Sequence, residues 1–142
     1  MKVAFSPAVI SDRLQALTRA LDLDPTNPGR LHIISAPVPA DGQPIPSSAQ
    51  ILATVIFSKP SLDNVTGNVL TLLNPPTALV LVTGDAAWAR MENGSSQWVA
   101  DLDVGLPGNN VAVELDNGGT PKTLMLYAGG EFSVTLAKLQ ES

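Results

Sequence analysis

Asp101 and Asp103 form the acid pair of this chain that strand geometry places on one face, because side chains alternate with a period of two. Two carboxylates so placed can act as general acid and base, or as oxygen ligands for a hard cation. The plainer expectation is an ion pair with Arg90 on the preceding run, with both groups solvated. Calcium would need several more oxygens, for which Asp85 and Glu92 are the candidates in sequence. The chain has no cysteine and one histidine, His32. Disulfides, thiolate zinc sites, cysteine nucleophiles and multi-histidine metal sites are therefore excluded. His32 stands between Leu31 and Ile33, the setting of a hydrogen-bonded strand residue rather than a ligand. No nucleophile elbow, phosphate loop, zinc-protease helix or dinucleotide fingerprint is present, and Ser47-Ser48 is not a nucleophile signature. The expectation is a chain without catalytic, cofactor-binding or metal-binding residues and without a cofactor.

The acids belong to a predicted hairpin, Gly84 to Gly105, centred on Asn93-Gly94, a pair in which both residues tolerate φ > 0. Ala87, Ala89 and Met91 alternate with Trp88, Arg90 and Glu92; Trp98, Ala100, Leu102 and Val104 alternate with Val99, Asp101 and Asp103. A two-residue and a four-residue loop give the same faces. One face, with Trp98, is expected in the core. The other carries Trp88 beside Arg90, Asp101 and Asp103, and an indole there is expected to anchor a partner, unless the helix or a loop covers it. These four residues are the candidates for a contact surface.

The elements around the hairpin are mostly strands. Ser6-Pro7 starts a helix, and Ile10, Leu14, Leu17 and Leu21 line one face of it. It should stop near Asp22–Asp24, ahead of Pro25. Strands are expected at 31–35, 51–57, 69–73, 78–82, 111–115, 123–127 and 132–139, with Asn74-Pro75-Pro76 breaking one of them. Asp63, Asn64 and Gly67 read as a turn region, and residues 36–49, with four prolines, as an irregular exposed loop. The fold class is mainly β: an antiparallel, jelly-roll-like β-sandwich of eight or nine strands with one N-terminal helix. It forms one domain, with the helix in 1–24 and the sandwich in 25–142. The 142 residues carry a net charge of −5 and only 8 basic residues, so the footprint of a nucleic-acid binder is absent. The N-terminus is a poor signal peptide, and the apolar runs are far shorter than the roughly 20 residues a membrane helix needs. Synthesis in a cytoplasm, no membrane and no nucleic-acid partner are the expectations.

The residues Leu52-Ala53-Thr54, Phe57-Ser58-Lys59-Pro60, Ala87-Trp88-Ala89-Arg90 and Asp101-Leu102-Asp103-Val104-Gly105, after an N-terminal helix with Arg13-Leu14-Gln15-Ala16-Leu17, resemble a family of small virion structural proteins of tailed bacteriophages and prophages. The resemblance is most specific over Ala87–Gly105. The proline-rich 36–49 loop and the apolar Ala78–Val82 run depart from the family pattern. The resemblance implies a virion component rather than an enzyme, foremost a head decoration or minor capsid protein, made in the host bacterial cytoplasm. Its implied partners are the major capsid protein or other virion proteins and copies of itself, with a trimer favoured by three-fold shell sites. Two alternatives stand beside it: a tail, collar or baseplate module, and a carbohydrate-binding β-sandwich stacking a sugar on Trp88.

Overall fold

A computed structural model describes residues 1–73 and 77–140, with the backbone alone at 135–138. The expected break at Asn74-Pro75-Pro76 lies outside the described residues. Helix α1 spans Pro7–Leu21. Ser6 caps it, its hydroxyl accepting from the Val9 N–H at 3.3 Å, and proline occupies the first turn. The stripe Leu14, Leu17 and Leu21 packs on the hydrophobic core, and the helix lies against the hairpin of residues 62–72.

Among the described residues eleven strands follow: β1 Arg30–Ile34, β2 Ile51–Ile56, β3 Leu62–Thr66, β4 Val69–Leu72, β5 Thr77–Leu79, β6 Gly84–Asp85, β7 Trp88–Glu92, β8 Trp98–Gly105, β9 Val113–Asp116, β10 Met125–Leu126 and β11 Glu131–Gln140. Nine of them form one sheet, ordered β2-β1-β7-β8-β9-β11-β4-β3, with β5 also on β11. The start of β11 pairs with β5 and its end with β4. Beyond β5 the chain meets β2, where the N–H groups of Leu81 and Val82 both donate to the Leu52 carbonyl, at 2.8 and 3.2 Å. Seven strands, β2-β1-β7-β8-β9-β11-β5, thus curl into a nearly closed sheet. The protein is mainly β with one helix, a sandwich-like or barrel-like body rich in antiparallel pairs. One pair, β8–β9, is parallel: after loop 106–112 the chain steps sideways and pairs only Val104 with Val113 and Gly105 with Glu114. Leu31, Ile33, Leu52, Ala53, Met91, Leu115 and Phe132 fill the interior.

Two expectations need correction. Residues 62–66 are not a turn region but strand β3, joined to β4 by Gly67-Asn68. Gly67 has φ +61°, the left-handed conformation that a tight hairpin demands and that glycine adopts without steric cost. The 78–82 strand is confined to Thr77–Leu79; the remainder closes the sheet rather than running on into the hairpin.

Candidate functional site

The outer face of β2, β1, β7 and β8 is built of cross-strand rows, because directly opposed residues share a face. One row runs Ile56–Arg30–Glu92–Trp98, the next Thr54–His32–Arg90–Asp101, and a third Ile34–Trp88–Asp103. Trp88, Arg90, Asp101 and Asp103 therefore do lie on one face, as the alternation predicts.

Trp98 joins them there, and this overturns its expected place in the core. The hairpin loop is neither two nor four residues long. Asn93 pairs with Gln97, its N–H donating to the Gln97 carbonyl at 3.0 Å, and Ser96 carries φ 62°. This is a three-residue loop, with the left-handed residue at Ser96 rather than at Asn93 or Gly94. A register shift follows: Glu92 opposes Trp98, yet Met91 opposes Ala100, so Val99 is an extra residue. The bulge restores the predicted faces from Ala100 onward and leaves Trp98 on the opposite side, 49% exposed.

The contact face is not open. Residues 36–49 cross it as a strap. Trp88 is 2% exposed and Arg90 6%. The Trp88 indole N–H donates to the Ser35 carbonyl at 3.0 Å, and the Arg90 guanidinium carbon lies 5.1 Å from the indole ring centre. Arg90 grips Asp101 with two bonds, Nε to Oδ1 at 2.7 Å and a terminal nitrogen to Oδ2 at 2.9 Å, and donates to the Gln43 carbonyl at 2.8 Å. Asp101 also accepts from the Gly42 N–H at 3.3 Å and from the Trp98 indole N–H at 3.1 Å. Gly42 lies against the Trp98 ring with φ +71°, where a Cβ would crowd the indole. Burial pushes the Asp101 carboxyl up, but the bonds from Arg90, Gly42 and Trp98 outweigh it and hold the carboxyl below its ordinary range. The hydrogen bond to Asp101 raises Arg90 in turn. The expected Arg90–Asp101 pair forms, directly opposite across the hairpin, but it is buried rather than solvated.

The two acids serve separate loops. Asp101 fixes the strap, whereas Asp103 accepts from the Ala112 N–H at 2.8 Å and fixes loop 106–112. Among the described residues no group of three or more His, Cys, Asp or Glu is placed to hold a metal ion. Of the four contact candidates only Asp103 is exposed. Trp88 and Arg90 are structural anchors of the strap, which corrects their assignment to an open contact surface.

Sequence reasoning did not anticipate one cluster. His32 Nδ1 lies 2.8 Å from the Thr54 hydroxyl and its Nε2 lies 3.2 Å from Glu92. Hydroxyl, imidazole and carboxylate in line are the parts of a proton relay. Here both ring nitrogens are occupied by sheet neighbours and the side chain is largely covered, so His32 ties three strands together. The period-2 pattern puts His32 on the outer face, but its partners come from 22 and 60 residues away.

Clefts flank the face at both ends. One, of about 260 Å³, lies between the strap residues Val38 and Asp41 and the Trp88, Asp101 and Asp103 side. The other, of about 350 Å³, is walled by Asn27, Pro28, Arg30, Ile56 and Gly94. Comparison of the chain with protein-family models, with curated proteins and with solved structures gives no match.

Proposed function

We propose that this chain is a non-enzymatic structural component of a tailed-bacteriophage virion, foremost a head decoration or minor capsid protein. It works through surface contacts with the major capsid protein or another virion protein and with copies of itself. The observation that supports a contact role is how the side chains are divided. The charges of the outer face are tied to loops of the same chain, whereas large apolar groups project outward: Leu79, Leu81 and Tyr127 are 53%, 63% and 65% exposed. A rigid body with such projections suits repeated contacts, because each removes apolar surface from water and a symmetric shell multiplies it. The virion assignment rests on the likeness of Ala87–Arg90 and Asp101–Gly105 to the phage protein family. The net charge of −5 gives phosphate backbones little to bind, in keeping with a protein partner.

The contact surface of this reading is not the Trp88 face, which the strap covers. A sugar platform on Trp88 is buried for the same reason. No helix among the described residues is long and apolar enough to cross a membrane. The test is localisation: an epitope-tagged copy is imaged on purified particles. Label on the shell supports the reading, and label on tail, collar or baseplate relocates the protein within the virion. Its absence from particles overturns the reading.

A further inference from the structure

Two exposed apolar features lie on this one chain. Residues 1–6, Met-Lys-Val-Ala-Phe-Ser, precede α1 as an arm outside any helix or strand; all are exposed, and the large apolar residues Met1, Val3 and Phe5 come at every second position. The backbone groups of Lys2 to Phe5 have no hydrogen-bond partner among the described residues. The arm is tethered at its base, where the Arg13 guanidinium carbon stands 4.6 Å from the Phe5 ring centre. An apolar alternating segment with open backbone valences is a donor for another surface.

The second feature is an acceptor. Leu79 and Leu81 point outward on either side of buried Val80. Tyr127 opens the turn 127–130, which is fastened to Val80 by reciprocal bonds: Val80 N–H to the Gly130 carbonyl and Gly129 N–H to the Val80 carbonyl, both 2.9 Å. The strip is therefore fixed in place. Its leucines are two residues apart, as are Val3 and Phe5, so the arm drawn out as a strand against it would match the spacing at about 7 Å. The charges also match. The arm carries Lys2 and no acid before Asp12, whereas the strip has exposed Glu131 opposite Leu79 in register.

We propose that residues 1–6 of one copy dock on the Leu79–Leu81–Tyr127 strip of a second copy, Val3 and Phe5 against the leucines and Lys2 toward Glu131. Donor and acceptor are different surfaces, so the contact is heterologous and closes a ring or runs on as an open array. It rests on the self-contact of the proposed function and gives it an address, but it is tested on the isolated chain, so its failure would leave the localisation test of the virion reading standing.

The chain has no cysteine of its own, which makes cross-linking clean. Val3→Cys protein carrying a size tag is mixed with untagged Leu81→Cys protein and mildly oxidised, and wild-type protein is followed by sedimentation. The expected result is a tagged–untagged disulfide that exceeds both like-with-like dimers, with a wild-type mass that rises with concentration. Phe5→Asp and Leu81→Asp, both at exposed positions and checked for folding by circular dichroism, should each weaken self-association by about tenfold or more. A wild type that stays monomeric, a mixed disulfide no stronger than the like pairs, or association untouched by Phe5→Asp would overturn the proposal.

Discussion

Trp98 lies on the face opposite to the one alternation alone assigns it, because Val99 is an extra residue, whereas Trp88 keeps its predicted face and is buried by the strap. The difference can be read by fluorescence. With Trp98→Phe, the remaining indole of Trp88 should resist quenching by iodide; with Trp88→Phe, the remaining indole of Trp98 should be quenched readily. Equal accessibility of the two would contradict the strap. Trp88→Ala should not give a folded protein that merely fails to assemble. It should destabilise the fold by about 3–5 kcal/mol, the range for truncating a buried large aromatic. Arg90 and Asp101 carry a comparable penalty. Their side chains are 7% and 12% exposed, so Arg90→Ala leaves a nearly buried carboxylate without its partner. A loss of about 3–5 kcal/mol in denaturant unfolding is expected, with the double variant Arg90→Met/Asp101→Leu recovering much of it. The pairing itself was legible in the sequence, since opposed charges at alternating positions imply it. That it would be buried was not, because the cover comes from a proline-rich stretch far away in the chain whose path no local pattern fixes.

At the scale of elements, the hairpin tip docks on the turn that follows α1. Asp24 accepts N–H bonds from Thr26 and Asn27 at 2.9 and 2.7 Å, and the Ser95 hydroxyl donates to it at 2.8 Å. The Asn27 and Thr26 N–H groups, then Ser95, lower its carboxyl from 3.8 to about 2. A carboxyl depressed in the folded state adds stability above its unfolded value and loses it as pH falls through the folded one. The contribution of Asp24 should thus be whole above about pH 5 and fade toward about pH 2, and Asp24→Asn should flatten that part of the profile. Asp101 and Asp116 are lowered as well, so some acid dependence should survive the substitution. Gly94 is required for the same docking, because a Cβ there would strike the Asn27 carbonyl oxygen, which is backbone and cannot swing aside. Gly94→Ala should cost about 1–3 kcal/mol in thermal unfolding. The Asn-Gly signal located this turn correctly but for a different reason: the glycine makes room for a neighbour, and Ser96 supplies the left-handed residue. The β3–β4 hairpin was not read from the sequence, because Asp63 and Asn64 resemble turn residues and merge with Gly67 into one apparent turn region. Asp63 in fact sits at a register shift, where ladder pairing lapses.

For the molecule as a whole, the fold class followed from short alternating runs with turn residues between them, and the helix from its cap and its leucine stripe. The closure of the sheet did not, because it depends on β2 meeting residues 81–82, a contact with no local signature. The closure also sets how the body opens. Two N–H groups share one carbonyl there, whereas β1 and β7 are joined over five consecutive residue pairs. The circumference has a seam, and transient parting of the wall should begin along it. In deuterium exchange the Leu81 and Val82 amides should take up label well before those of Leu31 and Ile33, while the β7–β8 side stays closed. The seam runs from the Leu79–Leu81 strip to Leu52, so a neighbour seated on that strip would bolt the cylinder shut and slow the exchange.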